Sequence, residues 1–169
     1  MAAAIIETPA LAAILGNSYD ISPDILVVRQ PIGQRELNDS GIVVDGVASY
    51  SPLLAHNQSS AIIHAVVSCK WTLRSDRAQN ARSEALNLIR NRKGRTPHIV
   101  VVTGEPTPSR LSSLALGTGD IDTVYHFALP ELIAATQTSG NEEAVKTLDT
   151  LVTGQRLRDI ADLPLDLAI

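Results

Sequence analysis

Four residues of this 169-residue chain are best equipped for chemistry: Lys70, Ser68, Asp24 and Glu84. Ser68 and Lys70 close the apolar run of residues 61–67. A lysine at the end of a buried strand is costly unless an acid or an anion lies beside it. Asp24, which follows Pro23 at the start of another apolar run, is the candidate partner. Side chains alternate along a strand, so Ser68 and Lys70 share one face while Val67 and Cys69 share the other. Cys69 is therefore expected in the core. Two carboxylates and a lysine are the parts of metal-assisted phosphodiester hydrolysis. Oxygen ligands suit Mg²⁺, and Lys70 would orient or help deprotonate the nucleophile.

Directly after these residues comes Arg74-Ser75-Asp76-Arg77 at the start of a helical pattern. Arginine pairs bidentately with guanine O6 and N7, and a carboxylate accepts from cytosine N4. The motif could thus read bases from a helix start. Its plainer reading makes Ser75 a helix N-cap and Asp76 a first-turn acid, together worth about 1 kcal/mol. Both can hold.

The elements that must position these groups follow from periodicity. Residues 76–92 read as the strongest helix, with an apolar stripe of Ala78, Ala81, Ala85, Leu88 and Ile89. The opposite stripe carries Arg77, Asn80, Glu84, Asn87 and Asn91, so Glu84 projects two turns along the Arg77 face. Residues 24–28, 61–70, 98–103 and 123–127 read as strands, with 61–70 the best central one. A short helix is expected near Ser109, another from Pro130 to about Gln137, and a third over 141–152 capped by Asn141. An alanine-rich helix is expected within residues 1–15, a short apolar run at 42–44 before the turn signal Asp45-Gly46, and a loop over 31–39. Strands alternating with helices imply an α/β fold around a central mixed sheet.

Composition narrows the class. Apolar residues make up 44% and charged residues 19%, an ordinary globular balance. The single cysteine excludes an internal disulfide and fits a reducing cytoplasm. No apolar run is long enough for a membrane span, and no basic signal-peptide region precedes Glu7. Net charge is −4, yet residues 70–110 hold nine basic and three acidic residues (+6), against five and fifteen elsewhere (−10). Such a basic segment in an acidic protein suits a local polyanion site, with a solvated helix face as the competing reading. Arg82, Arg90, Arg92 and Lys93 are then phosphate contacts or surface. His56, His64, His98 and His126 lack zinc-ligand spacing, and Asp120 and Asp122 read as turn residues.

Pro23-Asp24, followed at a distance by a polar residue-x-Lys on an apolar strand, resembles the PD-(D/E)xK nuclease signature. Ser68 stands where that signature normally has its second carboxylate, and Glu84 supplies the missing charge. The whole set resembles the NgoMIV-type restriction endonucleases, of the CCGG-reading group. It comprises residues 68–80, Glu84, the basic run 90–95 and the strand 98–102. The resemblance implies a restriction-endonuclease-like fold and a single nuclease domain over residues 1–169, shorter at its N-terminus than the family. It implies Mg²⁺ and double-stranded DNA, with Asp24, Glu84 and the Cys69 carbonyl as metal ligands and Asp24, Lys70, Glu84 and Ser68 in the cutting site. Arg74, Asp76 and Arg77 would read CCGG, and Arg110 an outer pair of GCCGGC. A homodimer or homotetramer is implied. Two alternatives stand beside this: a nuclease-fold protein that binds DNA or assembles without cutting, and an α/β protein that binds a small anion through Lys70 and Arg74.

Overall fold

The computed structural model describes residues 23–41, 49–92, 94–117 and 119–168. The expectations for residues 1–15, for the run at 42–46 and for Lys93 lie outside them. Five strands form one sheet in the order β1 (Ile25–Arg29), β2 (Ile62–Lys70), β3 (His98–Thr103), β4 (Thr123–His126) and β5 (Leu157–Asp159). β1 runs antiparallel to β2, and β2 to β5 are mutually parallel. A short helix α1 (Gln34–Asp39) lies between β1 and β2. Helix α2 (Ser75–Asn91) joins β2 to β3, and α3 (Pro108–Ala115) joins β3 to β4. Helices α4 (Leu129–Thr138) and α5 (Glu142–Thr153) precede β5, and a 3-10 turn (Ile160–Asp162) leads into α6 (Leu163–Asp166).

The parallel part steps in one direction across the sheet. Because such crossovers are right-handed, successive helices fall on the same face. The main core bears this out. Val66, Ile99, Val101, Val124 and Leu157 pack with Ala81, Ala85 and Leu88 of α2, Leu111 and Leu114 of α3, Leu132 of α4 and Leu151 of α5. The other face has a smaller cluster, in which Ile160 and Leu163 cover Val67, Val100 and Tyr125. The terminal segment is tied across this face by Tyr125, which donates to Asp166 Oδ2 at 2.6 Å. Arg158 pairs with the same oxygen, and His64 Nε2 lies 2.8 Å from the Leu167 carbonyl.

The mixed sheet flanked by helices is the expected class. Four differences are instructive. Residues 31–39 are not all loop, since α1 occupies the last six of them. The strand at 61–70 is internal but second in order, leaving β3 at the centre. The tail, for which no strand is expected, contributes β5. Ser75 is not a cap: Arg74 holds that position in extended geometry without a side-chain cap, and Ser75 is the first helical residue. Asn141 does cap α5, accepting from Ala144 N at 3.0 Å.

The Asp166 tie has a pH signature. The Tyr125 hydrogen bond lowers the Asp166 pKa against the opposing effect of burial, and Arg158 lowers it further. Its contribution to stability is thus fully present above the ordinary value of 3.8 and fades as pH falls through the lower folded value. Asp166→Asn should flatten the acid limb of the Tm–pH curve measured by circular dichroism below about pH 4. Parallel limbs for the two proteins would remove this role.

Candidate active site

The position of Asp24 follows from where β1 stops. Ile25 pairs with Val67, and the same register continued would set Pro23 opposite Cys69. Proline has no N–H, so the ladder ends there. The Asp24 side chain takes over: Cys69 N donates to Asp24 Oδ2 at 2.7 Å. Lys70 Nζ approaches the same oxygen at 3.4 Å. In an antiparallel pair a residue's N–H and C=O point to the same side. The Cys69 carbonyl thus faces a proline that cannot donate to it.

Glu84 arrives from the helix. Ala81, Ala85 and Leu88 bury one face of α2, and this turns the half-buried Glu84 toward the end of β2. Ser68 Oγ donates to Glu84 Oε2 at 3.3 Å. Pro23, Ser68, Ala81 and Glu84 line one small cleft. Two carboxylates therefore approach the end of β2, one from the edge strand and one from the helix, and among the described residues each has its second oxygen to spare. Among the described residues no three His, Cys, Asp or Glu side chains group as metal ligands. The donor set that fits a cation is instead two carboxylates and a main-chain carbonyl, the hard oxygen chemistry that Mg²⁺ prefers.

Cys69 departs from expectation. Its side chain shares the face of Val67, as alternation requires, but it is exposed rather than core. The C-terminal cover reaches Val67, Val100 and Tyr125 and goes no further along β2. Partial burial and then the Asp24 charge push the thiol pKa up, against Lys70, so Cys69 remains a thiol at neutral pH.

The linker from β2 to α2 is fixed at Leu73, which is 2% exposed. Its backbone N–H donates to Glu105 Oε2 at 2.7 Å. Glu105 is wholly buried in the loop after β3. Its other oxygen accepts from Thr107 N at 3.1 Å, and Arg110 Nη1 lies 3.5 Å from Oε2. Burial raises its pKa, but hydrogen bonds from Thr107 and Leu73 and the Arg110 charge outweigh that and hold it below the ordinary value. His126 completes the anchor. Ala128 N donates to His126 Nδ1 at 3.0 Å, which leaves Nε2 to carry the proton and donate to the Glu105 carbonyl at 3.2 Å. Glu105 and His126 went unrecognised in the sequence. The one available signal was an acid alone in a proline-flanked loop, inside the basic segment.

From this anchor Arg74, Asp76 and Arg77 project into solvent at the start of α2. Arg77 Nη1 is held by Thr72 Oγ1 at 3.2 Å. Arg110, on α3, is exposed on the far side of Glu105. Arg82 donates to the Ser113 carbonyl and so ties α2 to α3. Trp71 lies on Gly104, where a Cβ would come within 3.1 Å of its ring.

Comparison with known proteins places the chain in a family. The chain is 58% identical, over 170 aligned residues and its whole length, to the type II restriction enzyme NgoMIV of Neisseria gonorrhoeae. It spans 59% of the length of that relative. A solved restriction endonuclease PspGI–substrate DNA complex is similar over 62% of this chain and 39% of its own, at 21% identity and a TM-score of 0.40. The family model described as NgoMIV restriction enzyme matches residues 1–169. With a full-length family match and a relative this similar, the chain belongs to the NgoMIV restriction enzyme family.

Proposed function

We propose that the chain is a type II restriction endonuclease domain that hydrolyses phosphodiesters of double-stranded DNA at a CCGG-containing palindrome, GCCGGC in its full form, with Mg²⁺. The observation that carries this reading is the meeting of the Lys70–Asp24 and Ser68–Glu84 pairs at one strand end, beside exposed Arg74, Asp76 and Arg77. Family membership supports the same reaction class.

Asp24, Glu84 and the Cys69 carbonyl would hold the cation. When bound, it neutralises charge at the scissile phosphate and acidifies water. Lys70 orients the nucleophile and supplies positive charge beside Asp24. Ser68 fixes the Glu84 carboxylate, which α2 delivers in place of a strand residue. Arg74 and Arg77 suit two guanines of a half-site, and Asp76 can accept from the amino groups of two cytosines. Arg110, anchored through the same Glu105, suits an outer guanine. We read residues 1–169 as one nuclease domain acting in the cytoplasm. No helix among the described residues is long and apolar enough to cross a membrane. A palindrome calls for two-fold pairing, hence a homodimer or a homotetramer.

Incubation of the protein with plasmid and Mg²⁺, followed by sequencing of the ends, tests the reaction. Discrete Mg²⁺-dependent fragments ending within CCGG are expected. A shift of CCGG duplex in Ca²⁺ without cleavage in Mg²⁺ would leave a DNA-binding protein. No shift at all would return the small-anion reading. Arg77→Ala should weaken specific binding by about 1–3 kcal/mol, roughly 5- to 150-fold, in a gel shift with Ca²⁺. An affinity equal to the parent's would remove Arg77 from base reading.

A further inference from the structure

At the opposite end of the sheet lies a cavity of about 350 Å³. It sits where β1 ends, β2 and β3 begin and α2 terminates. Arg29, Arg92, Arg95, His64 and His98 line it together with neutral residues, and among the described residues no carboxylate does. None of the three arginines takes part in an ion pair among the described residues. Asp166, whose charge senses His98, is already held by Tyr125 and Arg158.

Helix capping accounts for only part of this. Carbonyls at a helix C-terminus attract cations, and Arg92 donates to the Ile89 carbonyl in that way. Its Nε is nonetheless buried without a partner among the described residues. A buried donor left unpaired costs free energy unless a ligand or water satisfies it. Arg95 is exposed and Arg29 half-buried. Arg29 Nη2 is 3.4 Å from His64 Nε2, the ring nitrogen that also lies 2.8 Å from Leu167 O. Three guanidinium groups around one cavity, in a protein of net charge −4, match a multi-oxygen anion better than a single carboxylate.

We propose that this cavity binds a phosphate group. The inference does not depend on the proposed nuclease activity. His64 and Lys70 are six residues apart in β2, which places the cavity about 20 Å from the candidate active site. The phosphate can come from a free nucleotide or from a duplex backbone remote from the cut, and the test separates the two.

Isothermal titration of the whole chain, without divalent metal, would use inorganic phosphate and then deoxycytidine 5′-monophosphate. The Arg29→Ala/Arg95→Ala double variant is compared with the parent. Arg95→Glu alone, at an exposed position, serves as the variant certain to leave the core untouched. Saturable binding by the parent, with Kd raised about tenfold or more in both variants, supports a free-phosphate site. If the small probes do not bind, a duplex lacking CCGG is titrated against salt. A slope of log K on log salt smaller by about one to two in the double variant assigns the phosphate to the DNA backbone. Phosphate binding equal in parent and variants, or no change with either probe or duplex, overturns the proposal.

Discussion

Lys70→Ala is expected to lower the rate of Mg²⁺-dependent plasmid cleavage by about 10²- to 10⁴-fold while leaving the Ca²⁺-dependent shift of CCGG duplex unchanged. The separation follows from geometry. Lys70 reaches the carboxylate that Asp24 offers at the strand end, whereas the base-facing groups start four residues later and are anchored elsewhere. Stability should change little. The side chains of Lys70 and Asp24 are 18% and 44% exposed, and such partly solvated pairs contribute about 1 kcal/mol or less. Asp24 also keeps its hydrogen bond from Cys69 N in the variant. Lys70→Arg should not restore the rate, because a planar fork does not replace a compact ammonium in so short a reach. Cleavage by Lys70→Ala at the parental rate would remove Lys70 from the reaction.

The second large effect belongs to a residue outside the proposed cutting set. Glu105→Gln should destabilise the fold by about 2–4 kcal/mol, with Tm lower by roughly 5–15 °C. Both carboxylate oxygens accept from backbone N–H groups, one from Leu73 and one from Thr107. Glutamine offers a single acceptor oxygen, so one N–H must face an NH₂ group. Leu73 is buried, and its N–H has no route to water. Below the new Tm the variant should still lose specific DNA affinity, since Leu73 sets the start of α2 and Arg110 leans on the same carboxylate. The proposed inner and outer base readers thus share one support. Arg77→Ala and Arg110→Ala should consequently give binding losses that do not add, a departure that a double-mutant cycle measures directly. Differential scanning calorimetry and gel shifts check both claims, and an unchanged Tm for Glu105→Gln would refute the anchor.

The parts of the proposed cutting site were legible because each rests on local rules. Alternation along β2 places Ser68 with Lys70, and helical spacing turns Glu84 away from the Ala81–Leu88 stripe. Both come together in space as expected. The exposure of Cys69 was not legible, because it depends on how far a segment about ninety residues later, around Ile160 and Leu163, reaches across the sheet. Glu105 escaped for a related reason. Its role comes from a loop after β3 meeting the linker after β2, and a residue's pairing across parallel strands leaves no periodic trace. β5 was missed because three residues carry too little pattern to distinguish a strand from a turn. Ser75 had the right type for a cap but lies one residue too late, since Arg74 alone keeps extended geometry.

Pro23 is a small residue of composition with a large effect on layout. A sheet edge is a zipper that tends to keep closing, because each unpaired amide and carbonyl invites another rung. Here the zipper is halted by a residue that has no tooth to offer. The halt turns the next side chain, the Asp24 carboxylate, into the substitute rung that the Cys69 N–H meets. Where the proposed chemistry is located along β2 is thus decided by where the hydrogen-bond ladder is forbidden to continue. A proline moved by one pair would carry the site with it.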